Sequence, residues 1–119
     1  MDGKVSRTDK LNAEFQKEIY DIIYRKLKNP FVTEMFSITK VDTSKDLKNA
    51  RVYVSVYSKD EKKKKATFDA IACDSKRIRY ELAHSVKLRT VPELRFYPDD
   101  SMEYGDKMDA LFRKINGEV

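Results

Sequence analysis

The 119-residue chain has one cysteine, one histidine, three glycines and no tryptophan. Each scarcity closes off a class of function. A single cysteine, Cys73, makes no internal disulfide, which points to a reducing compartment and a cytoplasmic location. The lone histidine, His84, leaves no pair for a metal site and no base beside a nucleophile. Gly3, Gly105 and Gly117 lie too far apart to build a phosphate-cradling loop. No run of 18 apolar residues exists to span a bilayer, and the opening "MDGKVSRTDK" lacks the apolar core of a secretory signal. The expectation is a non-enzymatic protein with no cofactor, no metal, no small-molecule substrate and no membrane partner.

What is present describes one folded domain. Hydrophobic residues make up 40% of the chain and charged ones 38%, so a core of ordinary size sits under a heavily solvated surface. The net charge of +5 suits an anionic partner. We expect residues 8–115 to form the domain, with residues 1–7 and 116–119 as flexible ends.

Periodicity sets the order of elements. Leu11, Phe15, Ile19, Ile22 and Ile23 recur at helical spacing after a cap at Thr8 or Asp9, and the helix should end before Asn29 and Pro30. A strand over 36–44 has Phe36 and Ile38 on one face. Val41 falls out of phase, which predicts a bulge or twist near Thr39. In "ARVYVSVYS" Ala50, Val52, Val54 and Val56 alternate with Arg51, Tyr53, Ser55 and Tyr57, the period of a strand with one wet face. From Lys59 the helical period returns with Phe68, Ile71, Ser75, Ile78, Leu82 and Val86 in one stripe. Pro92 opens a third strand holding Leu94 and Phe96. Asp100 or Ser101 then caps a terminal helix carrying Met108, Leu111, Phe112 and Ile115. Helices gathered on one face of a small sheet would bury all these stripes, giving an α+β domain of two layers.

The charge is unevenly placed. Residues 59–89 hold ten Lys or Arg against five Asp or Glu, while residues 90–119 are net acidic. At 100° per residue, Lys76, Arg79, Tyr80, Ala83 and Lys87 face away from the Ile78 and Leu82 stripe. Lys62, Lys63, Lys64 and Lys65 precede this face and Arg89 follows it. Together these residues could track a phosphate backbone. The same run is equally explained as a solvated helix face, "KDEKKKK" as a soluble loop, and Lys87 and Arg89 as cations welcomed by a helix C-terminus. Cys73, beside Asp74, reads as a small packed side chain, and His84 as a surface or half-buried structural residue. Asp99 and Asp100 suit turn and capping duty. Arg51, Tyr53 and Tyr57 on the open sheet face offer an alternative in which the chain docks a protein partner.

Two blocks carry a family resemblance. "LRTVPELRFYPDDSMEYG", through Leu88, Arg89, Pro92, Glu93, Leu94, Phe96, Asp99, Ser101 and Gly105, resembles the signature region of ribosome-binding factor A. "DLKNARVYVS" resembles its other strong block, and the likeness runs from about Arg7 to Ile115. The resemblance implies a KH-like domain of the second topological type, helix-strand-strand-helix-helix-strand with a C-terminal helix, its helices on one face of a three-stranded sheet. It also implies a monomeric cytoplasmic factor that binds 16S rRNA in the free small (30S) ribosomal subunit and assists its late maturation and processing, particularly in the cold. Such proteins are not enzymes. Lys76, Arg77, Arg79, Lys87 and Arg89 are the residues expected to contact RNA, with Lys62 to Lys65 beside them. One departure stands out. Asp74, Ser75 and Lys76 occupy the positions of the family's alanine, any residue, glycine kink, so either a milder kink is capped by Asp74 or Ser75, or the helix runs through.

Overall fold

In the computed structural model, residues 7–99 are described apart from 87 and 89. The expected terminal helix, residues 1–6 and the tail after Ile115 lie outside the described residues, as do Lys87 and Arg89.

The first apolar stripe becomes helix α1, Arg7–Asp21, which starts one residue early so that Thr8 and Asp9 sit in its first turn. It runs on into a wider π-helical turn, Ile22–Leu27, ended by Lys28 in the left-handed region at φ 46°. The wider turn lets the adjacent Ile22 and Ile23 both reach the core, and the three residues after them, Tyr24, Arg25 and Lys26, are exposed. The burial of Ile22 and Ile23 was expected from the apolar stripe, but the π-helical turn itself was not legible from a search for the α-helical period.

Strands β1 (Met35–Thr43) and β2 (Asn49–Tyr57) pair antiparallel, and the register shifts between Ile38 and Lys40. The bulge therefore falls at Thr39, as the phase of Val41 predicted, and brings Phe36, Ile38 and Val41 to one buried face. Polar side chains of α1 cover the free edge of β1. Asn12 Oδ1 accepts from the Thr43 N–H (2.9 Å), and Gln16 Nε2 donates to the Ile38 carbonyl (2.8 Å). The β1–β2 turn places Leu47 at φ 61° and is closed by Asp46, which accepts from Ser44 Oγ (2.7 Å) and the Lys48 N–H (3.0 Å).

Helices α2 (Glu61–Cys73) and α3 (Ser75–Ser85) then cross to β3 (Glu93–Pro98), which pairs parallel to β2, in the sheet order β1-β2-β3. Pro92 precedes this strand instead of opening it. Phe15, Ile19, Ile22, Val52, Val54, Ile71, Ile78 and Leu82 fill the layer between helices and sheet. Among the described residues the expected stripes face the core, with Leu11, Phe68, Ser75 and Phe96 only half-buried and Thr67, outside the stripe, fully buried.

Two expectations need correction. Ser55 and Tyr57 do not face solvent: both are buried, and the Tyr57 phenol is bonded to Ser37 Oγ at 2.6 Å. The wet face is narrower than alternation suggested and includes Arg51, half-buried Tyr53, Arg95 and Tyr97, with Lys40, Asp42 and Glu93 also exposed there. Cys73 is exposed, because two positions beyond the buried Ile71 a helix turns its side chain about 200° away from the core.

Two expectations follow. Ile78→Ala should cost about 2–5 kcal/mol in denaturant unfolding, since it opens a cavity at the centre of the layer; a loss below about 1 kcal/mol would mean that α3 is not anchored there. Asp46 is held below its ordinary pKa of 3.8, first by the Ser44 hydroxyl and then by the Lys48 N–H. A lowered folded-state pKa contributes stability above the unfolded value, lost as pH falls through the folded one. Asp46→Asn should therefore flatten the acid limb of the stability curve below about pH 4, as read by melts across pH.

Candidate nucleic-acid interface

Helix α2 starts where Asp60 caps it. One carboxylate oxygen accepts from the backbone N–H of Lys62 (2.9 Å) and Lys63 (3.2 Å), so "KDEKKKK" is a capped helix start and not a loop. Lys62, Lys63 and Lys65 are exposed, Lys64 is half-buried, and Lys65 pairs with Asp69 at 2.9 Å. Four lysines at the positive end of a helix oppose its dipole, at about 0.3–1 kcal/mol each when no acid offsets them. Asp60 at the cap and Glu61 in the first turn offset this and the Lys65–Asp69 pair supports the helix, so the cluster adds a positive field at little cost to α2.

The break before α3 is a single residue. Asp74, at φ −88° and ψ 11°, donates its N–H back to Ile71 (3.1 Å), and its carbonyl accepts from the Ile78 N–H (2.8 Å). The kink forms without glycine, since Lys76, at the position expected to hold one, lies inside α3 and has no positive φ. The expected side-chain cap is absent, and neither Asp74 nor Ser75 caps α3. Asp74 Oδ2 instead accepts from Asn29 Nδ2 (2.8 Å), while Asn29 Oδ1 accepts from the Phe31 N–H (2.8 Å). One asparagine thus ties the α1–β1 connection to the kink. Asp74 Oδ1 also lies 3.8 Å from Arg77 Nη1.

Beyond the kink, α3 and the segment leading into β3 enclose a groove of about 560 Å³. Lys76, Arg79, Tyr80 and Ala83 form one wall, and Thr90, Val91, Glu93 and Leu94 the other. Lys76, Arg77 and Tyr80 are exposed. Glu81, the sole acid of α3, lies 3.8 Å from Lys26 of the π-helical turn, away from this groove. His84 stays at the surface, its Nδ1 2.8 Å from the Tyr80 carbonyl and its ring 4.5 Å from the Tyr80 ring.

Arg79 has a second task. Its Nε (3.3 Å) and Nη2 (2.9 Å) both donate to the Val91 carbonyl, locking α3 to the segment that enters β3. Sequence reasoning counted Arg79 only as a contact for RNA, since the proximity of Val91 exists only once β3 has returned beside β2. The basic residues form two groups. Lys76, Arg77 and Arg79 sit together at the kink and groove, and Lys62 to Lys65 lie up the length of α2, about 16 Å away by helix rise from Lys63 to Asp74.

Sequence reasoning missed a second groove, of about 860 Å³, at the far end of α1, where Tyr20, Tyr24, Arg25, Lys28 and Met35 are among the lining residues. Its one sequence signal was the i, i+4 spacing of Tyr20 and Tyr24 outside the apolar stripe. Among the described residues no group of three or more His, Cys, Asp or Glu could hold a metal ion. No described helix is long and apolar enough to cross a membrane.

Comparison with known proteins agrees with the resemblance. The family model of ribosome-binding factor A matches residues 7–112. Ribosome-binding factor A of Clostridium tetani is 44% identical over 109 residues, covering 92% of this chain and 89% of that protein. The crystal structure of ribosome-binding factor A from Thermus thermophilus superposes with a TM-score of 0.64 at 25% identity, covering 78% of this chain and 97% of that one. A Thermus thermophilus homology model fitted into a cryo-electron-microscopy map of a 30S complex shares the fold, with a TM-score of 0.61 at 24% identity over 77% of this chain and 94% of that one.

Arg79→Ala should destabilise the domain by about 1–2 kcal/mol, because the Val91 carbonyl loses a charged donor pair. Urea unfolding reads this, and an unchanged midpoint would refute the tie. Asp74→Asn keeps an acceptor for Asn29 but removes a negative charge beside Lys76 and Arg77. It should strengthen binding to small-subunit RNA at low salt, and weakened binding with an intact melt would contradict this placement.

Proposed function

The chain belongs to the ribosome-binding factor A family, and on that footing we propose that it is a ribosome-associated factor whose α2–α3 face contacts the RNA of the small subunit. The observation that carries this reading is the outward face of the crossover. Lys76 and Arg77 stand exposed at the kink, the groove beside them carries Tyr80, and the acid of α3 is drawn off toward Lys26. Such a surface suits a phosphate backbone, which needs fixed cations more than base-specific groups.

The name of the 30S-bound Thermus relative supports the choice of subunit. In this reading the chain is a cytoplasmic monomer that binds the free small subunit, assists late maturation and processing of its 16S rRNA, acts chiefly in the cold, and departs before translation. It performs no catalysis of its own. Lys76 and Arg77 provide the central contacts, with Lys87 and Arg89 past the end of α3. Arg79 both holds the groove closed and offers its remaining N–H groups. Lys62 to Lys65 extend the positive surface along α2.

Sedimentation with purified small subunits across a salt series tests it. Lys76→Glu with Arg77→Glu should reduce pelleting at every salt concentration and lower the slope of log affinity against log salt by about 0.7–0.9 for each phosphate no longer neutralised. The melt should stay near that of the parent, because neither side chain holds the core. Undiminished pelleting by the folded double variant would remove this face from the interaction.

A further inference from the structure

Six large apolar side chains are exposed among the described residues, and four of them gather at one end of the molecule. Tyr20 (37% exposed), Tyr24 (61%), Phe31 (73%) and Met35 (46%) come from the end of α1, the connection after it and the start of β1. The Tyr20 and Tyr24 rings are stacked, 5.8 Å apart with 17° between their planes, and Tyr20 leans on Phe36 at 5.0 Å. Tyr20 is thereby fixed from below, while the well-exposed Tyr24 ring is backed by it. Met35 and the two tyrosines line the groove of about 860 Å³ together with Arg25, Lys28, Asn29, Thr33 and Glu34.

We propose that this groove is a stacking site for unpaired nucleotides of RNA, with the stacked Tyr24 and Tyr20 rings as base platforms and Lys28 and Arg25 as phosphate contacts. Three observations select this occupant. The flat surface of a supported aromatic pair accepts any base through its π-face, which is how proteins hold single strands without sequence preference. Charge is complementary: two cations line the groove against one acid, Glu34, although Arg25 also pairs with Asp21 at 3.1 Å. The groove also adjoins the basic kink. Asn29, in its wall, is bonded to Asp74, the residue before the α3 turn that carries Lys76 and Arg77. A strand whose phosphates follow those two residues meets the aromatic surface as it passes Asn29.

A protein segment adding to the sheet here is disfavoured by the edge of β1, where Asn12 and Gln16 already bond the backbone of Thr43 and Ile38 and Tyr20 packs against Phe36. The π-helical turn fits the same purpose, since it exposes Tyr24 and Arg25 while keeping Ile22 and Ile23 in the core.

The inference rests on the RNA-binding reading and can fail separately from it. The probe is a short fluorescent oligoadenylate, compared with a hairpin duplex of similar length, measured by anisotropy with the full chain. Tyr24→Leu and Tyr20→Leu keep apolar bulk but remove the ring. Each should weaken oligoadenylate binding on the order of tenfold, the loss of one stacked base, and leave duplex binding unchanged. The Lys76→Glu, Arg77→Glu double variant should weaken both probes. Failure of the parent chain to bind oligoadenylate, or equal affinity in parent and leucine variants, would overturn the stacking site, whatever pelleting with small subunits shows. Loss of pelleting by the leucine variants with oligoadenylate affinity unchanged would overturn it too and give the groove to a protein partner. Weakened oligoadenylate binding would support the stacking site even if selective pelleting with small subunits failed.

Discussion

The parallel pairing of β2 with β3 is the constraint on which the rest of the molecule depends. Parallel neighbours cannot be joined by a tight turn, so the chain must leave the sheet at Tyr57, cross one face and return at Glu93. The crossover consists of α2 and α3, and both must bury one face on the sheet: Thr67, Ile71, Ile78 and Leu82 do so. The basic residues of the crossover are thereby turned outward in two groups, Lys62 to Lys65 along α2 and Lys76, Arg77 and Arg79 at the kink and groove. The core thus orients the charge, and the Arg79 to Val91 tie holds the last part of the crossover against the segment that restores the pairing.

The kink at Asp74 shows how the same architecture can survive a change of chemistry. Glycine is valuable where backbone angles are closed to other residues, but Lys76, at the position expected to hold it, lies inside α3 and has no positive φ. Two residues earlier Asp74, in the place of the alanine, supplies a carboxylate that joins Asn29 to the crossover and moderates the field of Arg77. Lys76, in the place where the resemblance leads one to expect glycine, adds a cation where the surface is already positive. The break between α2 and α3 thus stands directly beside an added cation.

Much of this was legible in the chain. The alternation of Ala50 to Val56 and the stripe from Ile71 to Val86 fixed the two layers, and the phase error of Val41 located the bulge at Thr39. The missing parts depend on distance in sequence or on rarer geometry. Arg79 and Val91 meet only after the strand returns, and Thr67 is buried because Thr33 and Glu34 pack over it. Tyr57 is buried although alternation alone gave it a wet face. The π-helical turn has a period that an α-helical search does not count, so the aromatic groove beside it stayed hidden. Of the expected contact residues, Lys76 and Arg79 share a groove, Arg77 stands beside it, and Lys62 to Lys65 form a second group up α2.

Site-specific photocrosslinking from the groove wall tests the central claim most directly. Tyr80→p-benzoylphenylalanine places the reactive ketone between Lys76 and Ala83 without altering a charge or a core contact. With isolated small subunits the predicted result is a crosslink to 16S rRNA that fades as salt is raised and is absent with large subunits. A crosslink to ribosomal protein alone, or equal crosslinking to both subunits, would contradict the assignment of this face to small-subunit RNA.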